Sequence, residues 1–164
     1  MDYHKTVTKI IELLKASNFW FETFEHEPVK TSEEAAKIRP GYTLQQGAKA
    51  MIVRIKKSNS DKKFVMLVLP GNLRFDNSKV KAIFGAKDVR FATEDEILNL
   101  TDGVQAGGVP PFGNIFGLEV VADPKLFDND VIIFNAGDRR FSIAMKSMDY
   151  KRVVMPNVED ITSL

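Results

Sequence analysis

The sequence predicts an α+β fold, a mixed and largely antiparallel sheet flanked by short helices. Three observations predict it. Two apolar runs, 48–56 and 63–69, flank the turn Ser58-Asn59-Ser60-Asp61, the pattern of a β-hairpin. A second pair, 131–134 and 141–145, is joined by Asn135-Ala136-Gly137-Asp138-Arg139, whose composition suits a hairpin turn with Asn135 and Asp138 as turn formers. Short helical patterns lie between strands without the regular βαβα alternation of a parallel sheet.

The elements follow in order. Val7, Ile10, Ile11, Leu13 and Leu14 recur at helical spacing and predict a helix over residues 3–17. Residues 19–24 read as a short aromatic strand that ends at His26-Glu27-Pro28. Thr31 and Glu34 form a capping-box pattern, which opens a short helix that stops before Pro40-Gly41. After the first hairpin, Pro70-Gly71-Asn72 ends the strand. Asn77 or Ser78 caps a helix to Phe84, and Gly85 stops it. Residues 89–91 predict a short strand. Thr93 and Glu96 repeat the capping box for a helix to about Leu100. Strands are predicted at 118–121, 131–134 and 141–145, one helical turn at 147–150 and a last strand at 153–155.

Composition narrows the class of function. With 164 residues, 44% hydrophobic and 27% charged, the chain reads as one soluble globular domain, 1–164, able to bury a sizeable core. It has no cysteine, which removes disulfides, thiolate catalysis and cysteine-based metal sites, and fits a reducing compartment. Its two histidines, His4 and His26, have no ligand spacing, so no metal site is expected. No signal peptide or membrane span is visible, which points to the cytoplasm and no membrane partner. The net charge of +1 does not announce a nucleic-acid binder. Lysines and arginines cluster at 54–63, 139–140 and 151–152. These clusters read as solvated turns, or as surfaces for salt-sensitive contact with a folded RNA.

Two segments carry most of the chemistry. On a strand, side chains alternate faces, so Lys49 shares one face with Met51, Val53 and Ile55, while Ala48, Ala50, Ile52 and Arg54 take the other. A lysine heading an apolar stripe either packs its stem on the core or holds a cation at a pocket rim. The second segment, Gly107-Gly108-Val109-Pro110-Pro111-Phe112-Gly113, is richer in glycine and proline than a plain turn requires. Its glycines can present backbone N–H groups to an oxyanion or phosphate. No nucleophile elbow, phosphate-binding loop or dinucleotide fingerprint is present, so no cofactor is expected. His26, beside two glutamates, reads as a general base, a strand-end surface residue or a pocket-rim hydrogen bonder.

These residues occur in the order of a known family. The segments are 29–36, Gly47-Ala48-Lys49, Leu69-Pro70-Gly71, the 107–113 loop and Asn135-Ala136-Gly137. Together they resemble the YbaK/prolyl-tRNA-synthetase-associated editing domain family, from about His26 to Met145. The strand lysine and a Gly-x-x-x-Pro loop, matched by Gly107 and Pro111, are its best marks. The resemblance implies a barrel-like mixed sheet, occurrence as a free-standing protein, and hydrolysis of the ester joining a wrong amino acid to tRNA. The acceptor end of tRNA is the implied partner, with an aminoacyl-tRNA synthetase as a further one. It implies catalysis by Lys49, Gly107 and Gly108, the glycine amides facing the developing oxyanion and Lys49 holding the terminal phosphate or ribose. A terminal ribose hydroxyl would help activate water, with no metal or cofactor. It implies a small substrate pocket around His26, Ala50, Pro110, Pro111, Phe112, Asn135, Gly137 and Asp138, excluding large side chains sterically. The chain departs from many relatives at Ala50, where they carry threonine, at Pro110, where they carry serine, and at Asp138. The alternatives are a non-catalytic module of the same fold that binds a tRNA end or small ligand, and an unrelated small-molecule esterase. An open pocket beside Lys49 favours the hydrolase; a filled pocket, or Asp138 paired to Lys49, favours the binding module.

Overall fold

The computed structural model describes residues 2–39 and 41–163. Helix α1 (Lys5–Ala16) buries Val7, Ile10 and Leu14 along one stripe, and the His4 ring caps it by accepting the Thr6 N–H at 3.1 Å. Strand β1 (Phe21–Glu25) leads to α2 (Ser32–Ile38). There Thr31 Oγ accepts the Glu34 N–H at 3.1 Å, but the Glu34 carboxylate reaches the N–H of Lys30 rather than that of Thr31. Pro40, the expected stop, lies outside the described residues. A 3₁₀ turn, Leu44–Gln46, then feeds the long hairpin β2 (Ala48–Ser58) and β3 (Asp61–Pro70).

Next come β4 (Arg74–Phe75) and α3 (Asn77–Phe84), whose cap is Asp76, not Asn77 or Ser78. Its carboxylate accepts the N–H groups of Ser78 and Lys79 at 2.9 and 3.2 Å, satisfying two donors at the helix start. Strand β5 (Asp88–Phe91) precedes α4 (Glu94–Thr101), which opens with the full reciprocal box of Thr93 and Glu96. Beyond the 102–112 loop run β6 (Glu119–Ala122), β7 (Val131–Asp138) and β8 (Phe141–Lys146). The chain closes with α5 (Ser147–Val154), β9 (Asn157–Val158) and β10 (Thr162–Ser163). Helix α5 is longer than the single turn expected and absorbs Val153 and Val154, so the strand expected at 153–155 does not form. Tyr150 and Val154, four residues apart and both buried, share its inner face.

The strands form a three-stranded sheet, β1-β8-β7, a five-stranded sheet, β5-β2-β3-β6-β9, and the small pair β10-β4. The five-stranded sheet is mixed, because β6 runs parallel to β3 and β9 parallel to β6. The sheets do not close into the barrel the resemblance implied. Among the described residues the two large ones are joined by one isolated bridge, Gly47 to Ile133. Strand β2 has the expected two faces. Ala48 and Ile52 join the larger core with α1, while Val53 and Ile55 join a second core with Val80 and Phe84 of α3. Among the described residues no helix is long and apolar enough to cross a membrane.

The second hairpin differs from expectation. Asn135 to Asp138 belong to β7, and the turn is Arg139-Arg140, so Asn135 and Asp138 are not turn formers. Pairing slips between Asn135↔Ser142 and Asp138↔Phe141, a bulge that re-aims the strand. Gly137 sits in it at φ 109, where a Cβ would lie 2.7 Å from Thr6 Cβ, so only glycine lets α1 pack on the bulge.

Candidate active site

The seam between the two large sheets opens a cavity of about 340 Å³. Its walls are residues 47–51 at the start of β2, Phe134 and Asn135 of β7, and the α2 region through Lys30, Ser32, Glu33, Ala35 and Arg39. Gly107 and Val109 complete it from the loop. The lining holds three cations, Lys30, Arg39 and Lys49, against one carboxylate, Glu33, a balance suited to an anionic partner.

The loop is fixed by its carbonyls. Arg139 Nε donates to Ala106 O at 2.7 Å, Asn135 Nδ2 to Gly107 O at 2.8 Å, and the Gly137 N–H to Gly108 O at 2.9 Å. The Tyr150 hydroxyl donates to Pro111 O at 2.6 Å. Tyr150 is fully buried edge-on to Phe112, which also packs on Phe134. With the carbonyls tied down, amides are left over. Among the described residues the N–H groups of Gly107 and Val109 have no hydrogen-bond partner, whereas the Gly108 N–H donates to Gln105 O at 2.9 Å. Gly107 adopts φ 88, and a Cβ on it would lie 2.7 Å from Lys30 O.

Lys49 stands half-buried at the rim, its ammonium donating to Leu73 O at 2.6 Å. Burial pushes its pKa down; Glu33 counters this and Arg74 adds to it. Arg39 occupies the opposite situation. It is 7% exposed, its Nε donates to Ser142 Oγ at 3.1 Å and its Nη2 to Asn135 Oδ1 at 3.0 Å. Burial lowers its guanidinium to about 10, which leaves it charged at neutral pH. His26 lies behind it, Nδ1 on Glu27 O at 2.8 Å and Nε2 on Ser142 Oγ at 2.7 Å. A carbonyl can only accept, so Nδ1 carries the proton and neutral Nε2 accepts the Ser142 hydroxyl. Burial, aided by the Arg39 charge, lowers the His26 pKa against the opposing bond to Glu27, consistent with a neutral ring.

Of the residues singled out from the sequence, Lys49, Ala50, Gly107 and Asn135 line the cavity. The others do not. Gly108 has spent its N–H within the loop, so it is not a free amide donor. Phe112 is core, Pro110 and Pro111 are buried residues of the loop, and Gly137 serves the bulge. Asp138 pairs with Arg140 at 2.8 Å and accepts the His4 N–H at 3.3 Å, so it does not pair with Lys49. The Arg140 guanidinium holds its carboxyl below the usual range. His26 reaches the cavity only through Ser142 and Arg39. Among the described residues no group of three acidic, histidine or cysteine side chains could hold a metal. The sequence reading missed Arg39 and Ser142, and named Val109 only as part of the loop. An arginine closing a short helix reads as a cation on the helix dipole, and nothing local signals its burial.

Comparison with known proteins decides the family. The sequence profile described as the aminoacyl-tRNA editing domain matches residues 26–153. The chain belongs to the aminoacyl-tRNA editing domain family. This editing domain is 34% identical over 154 residues to the multifunctional Ser/Thr-tRNA deacylase ProXp-y of Escherichia coli K12, covering 93% of the chain and 90% of that protein. It is 30% identical over 139 residues to a proline–tRNA ligase of Lactobacillus johnsonii, covering 79% of the chain but 24% of the ligase. Two solved structures share its fold. One, a hypothetical protein, has a TM-score of 0.81 at 24% identity and covers 94% of this chain and 99% of its own. The other, described as a candidate trans-editing enzyme for prolyl tRNA synthetase, has a TM-score of 0.80 at 21% identity and covers 99% and 100%.

Proposed function

We propose that this editing domain is a metal-independent, trans-acting deacylase that hydrolyses the ester between a small amino acid and a tRNA. The observation that carries the reading is the loop with its carbonyls tied down and its Gly107 and Val109 amides left unengaged on a cation-lined cavity. The relative named as a Ser/Thr-tRNA deacylase supports serine and threonine as the first esters to test.

In this reading Lys49 binds the terminal phosphate or ribose from the rim. The ester carbonyl lies against the loop, and the Gly107 and Val109 amides stabilise its oxygen as charge develops. This moves the second donor from Gly108 to Val109. A terminal ribose hydroxyl helps deliver a water to the carbonyl carbon. The ester C–O bond then breaks, and the departing ribose oxygen takes up a proton. An aminoacyl ester is reactive enough for positioning and charge stabilisation to carry the step, so no protein nucleophile is required. The cavity of about 340 Å³ stands at the small end of ligand sites, and in this reading the sieve acts on the room left for the side chain once the ribose and ester are seated. The reading places the enzyme with the translation machinery of the cytoplasm, with a tRNA acceptor end as substrate and a synthetase as an associated partner.

The test is deacylation of one tRNA carrying serine, threonine, alanine or phenylalanine, with and without a chelator. Seryl and threonyl esters are hydrolysed well above the spontaneous rate, phenylalanyl ester is spared, and the chelator changes nothing. Hydrolysis of phenylalanyl ester with the small ones spared overturns the sieve. Inactivation by chelator, restored by zinc, overturns the metal-free mechanism.

A further inference from the structure

The deacylase reading leaves one cavity residue without a task. Arg39 is 7% exposed and has no carboxylate within 4.0 Å among the described residues. A buried cation without a counter-charge is costly and calls for a compensating partner. Its two partners, Ser142 and Asn135, are neutral. Both are held in turn: Ser142 Oγ lies 2.7 Å from His26 Nε2 and 3.2 Å from Asn135 Oδ1, and Asn135 spends its amide on Val29 O and Gly107 O. The guanidinium is thus anchored by Nε and Nη2. Nη1 makes no hydrogen bond among the described residues, and a Cβ placed on Gly47, a wall of the cavity, would lie 3.9 Å from it. Arg39 and Gly47 both line the cavity, which puts Nη1 on its cavity side.

Depth selects what Nη1 meets. An acyl group is the last piece of a polynucleotide that arrives from solvent. In the deacylase reading phosphate and ribose stay with half-buried Lys49, the ester with exposed Gly107, and the amino-acid side chain goes further in. The most buried cation of the lining is Arg39, and the same lining includes the small side chains of Ala35, Ala48 and Ala50. A positive charge there repels the α-ammonium group, which Glu33 attracts instead, and favours an oxygen acceptor.

We infer that Arg39 is a specificity-determining residue, its Nη1 donating a hydrogen bond to the side-chain hydroxyl of the bound acyl group, so that the cavity prefers seryl and threonyl esters over alkyl esters of the same size. The inference rests on the deacylase reading and extends it from size to polarity. A purely apolar pocket cannot favour a hydroxyl over a methyl; a site built around a polar donor penalises the substrate that leaves it unpaired.

The test compares seryl-tRNA with 2-aminobutyryl-tRNA, which differ by a hydroxyl in place of a methyl, on the same tRNA. The wild-type protein should favour the seryl ester in kcat/KM by roughly 10- to 100-fold, the range for a hydrogen bond to a charged donor. Arg39→Met should bring the two esters to within about 3-fold, chiefly by losing the seryl ester, since a hydrophobic site discriminates weakly. Arg39→Gln, which keeps donors without charge, should fall between. Both variants are compared after circular dichroism and melting show the native fold. A wild-type ratio near one overturns the inference whatever the variants do. So does a folded variant that keeps the ratio, or one that slows both esters equally, as a phosphate contact would. Wild-type protein inactive on both esters overturns the deacylase reading itself; activity on both without preference overturns only the role of Arg39.

Discussion

Lys49 and Arg39 face one cavity from opposite surroundings. Lys49 sits at the rim, half in solvent, with one backbone carbonyl as its partner. Arg39 sits at the floor, 7% exposed, in a relay that runs from Glu27 O through His26, Ser142 and Asn135 to Gly107 O. The rim cation can be removed at small structural cost. The floor cation is tied to the backbone that shapes the loop. The comparison teaches that the cavity separates a polar floor, which fixes geometry, from a rim whose donors stay free for a ligand.

The largest expected effect is at the rim. Lys49→Ala should lower kcat/KM for deacylation by roughly 100-fold, the scale of one lost hydrogen bond between charged groups. Its Tm should move by no more than about 4 °C. A stem that merely packs would show the reverse pattern, lost stability with turnover kept.

The two loop glycines provide the next contrast. Gly107→Ala forces a side chain into φ 88 and against Lys30 O, whereas a Cβ on Gly108 meets Gln105 O at 3.3 Å and Arg139 N at 3.4 Å in ordinary backbone. The rate should therefore fall more for Gly107→Ala than for Gly108→Ala, by at least about tenfold if one amide donor is displaced. Equal losses would return the donor role to Gly108.

Breaking the floor should cost stability before chemistry. Asn135→Ala strands Arg39 Nη2 and frees the carbonyls of Gly107 and Val29, a loss of about 1–3 kcal/mol for a buried unsatisfied group. Urea unfolding measures it. An unchanged midpoint would show that the relay contributes nothing to holding the loop.

The smallest effect is a pH slope. The His26 pKa is lowered in the fold from 6.5, chiefly by burial, so the unfolded chain takes up its proton first as pH falls. The stability held by the neutral ring is full above about pH 6.5 and is lost as pH drops from there through the lower folded value. His26→Gln should flatten that part of the stability curve. An equal slope in the variant would assign it to other groups.

Much of this architecture was legible in the sequence, for local reasons. The Thr93–Glu96 box, the Gly85 stop and the β2–β3 hairpin are written within a few residues, and all formed. The two faces of β2 followed from alternation alone, which put Lys49 at the head of a stripe. What was not legible depends on distant partners. Asn135 looked like a turn former because asparagine suits turns; it sits instead in a strand, beside the bulge at Ala136-Gly137, in a network with Val29, Arg39 and Gly107. Asp138, which composition offered to the pocket, is claimed by Arg140 at the true turn. Phe112 looked like part of a binding loop, but the same residue plugs the core between Phe134 and Tyr150. Arg39 gave no signal because its burial is set by the 3₁₀ turn and two strands that come later in the chain.

The central claim is that the seam cavity receives the acyl end of a charged tRNA, rim first and side chain deepest. Titration with a non-hydrolysable amide analogue of the seryl-adenosine terminus, followed by backbone amide chemical shifts, tests it directly. Shifts should concentrate at Gly107, Val109, Lys49, Ala50 and Arg39, with Asp138, Phe112 and the 58–61 hairpin tip unmoved. Perturbations gathered at the hairpin tip or around Asp138, with the cavity amides still, would contradict it.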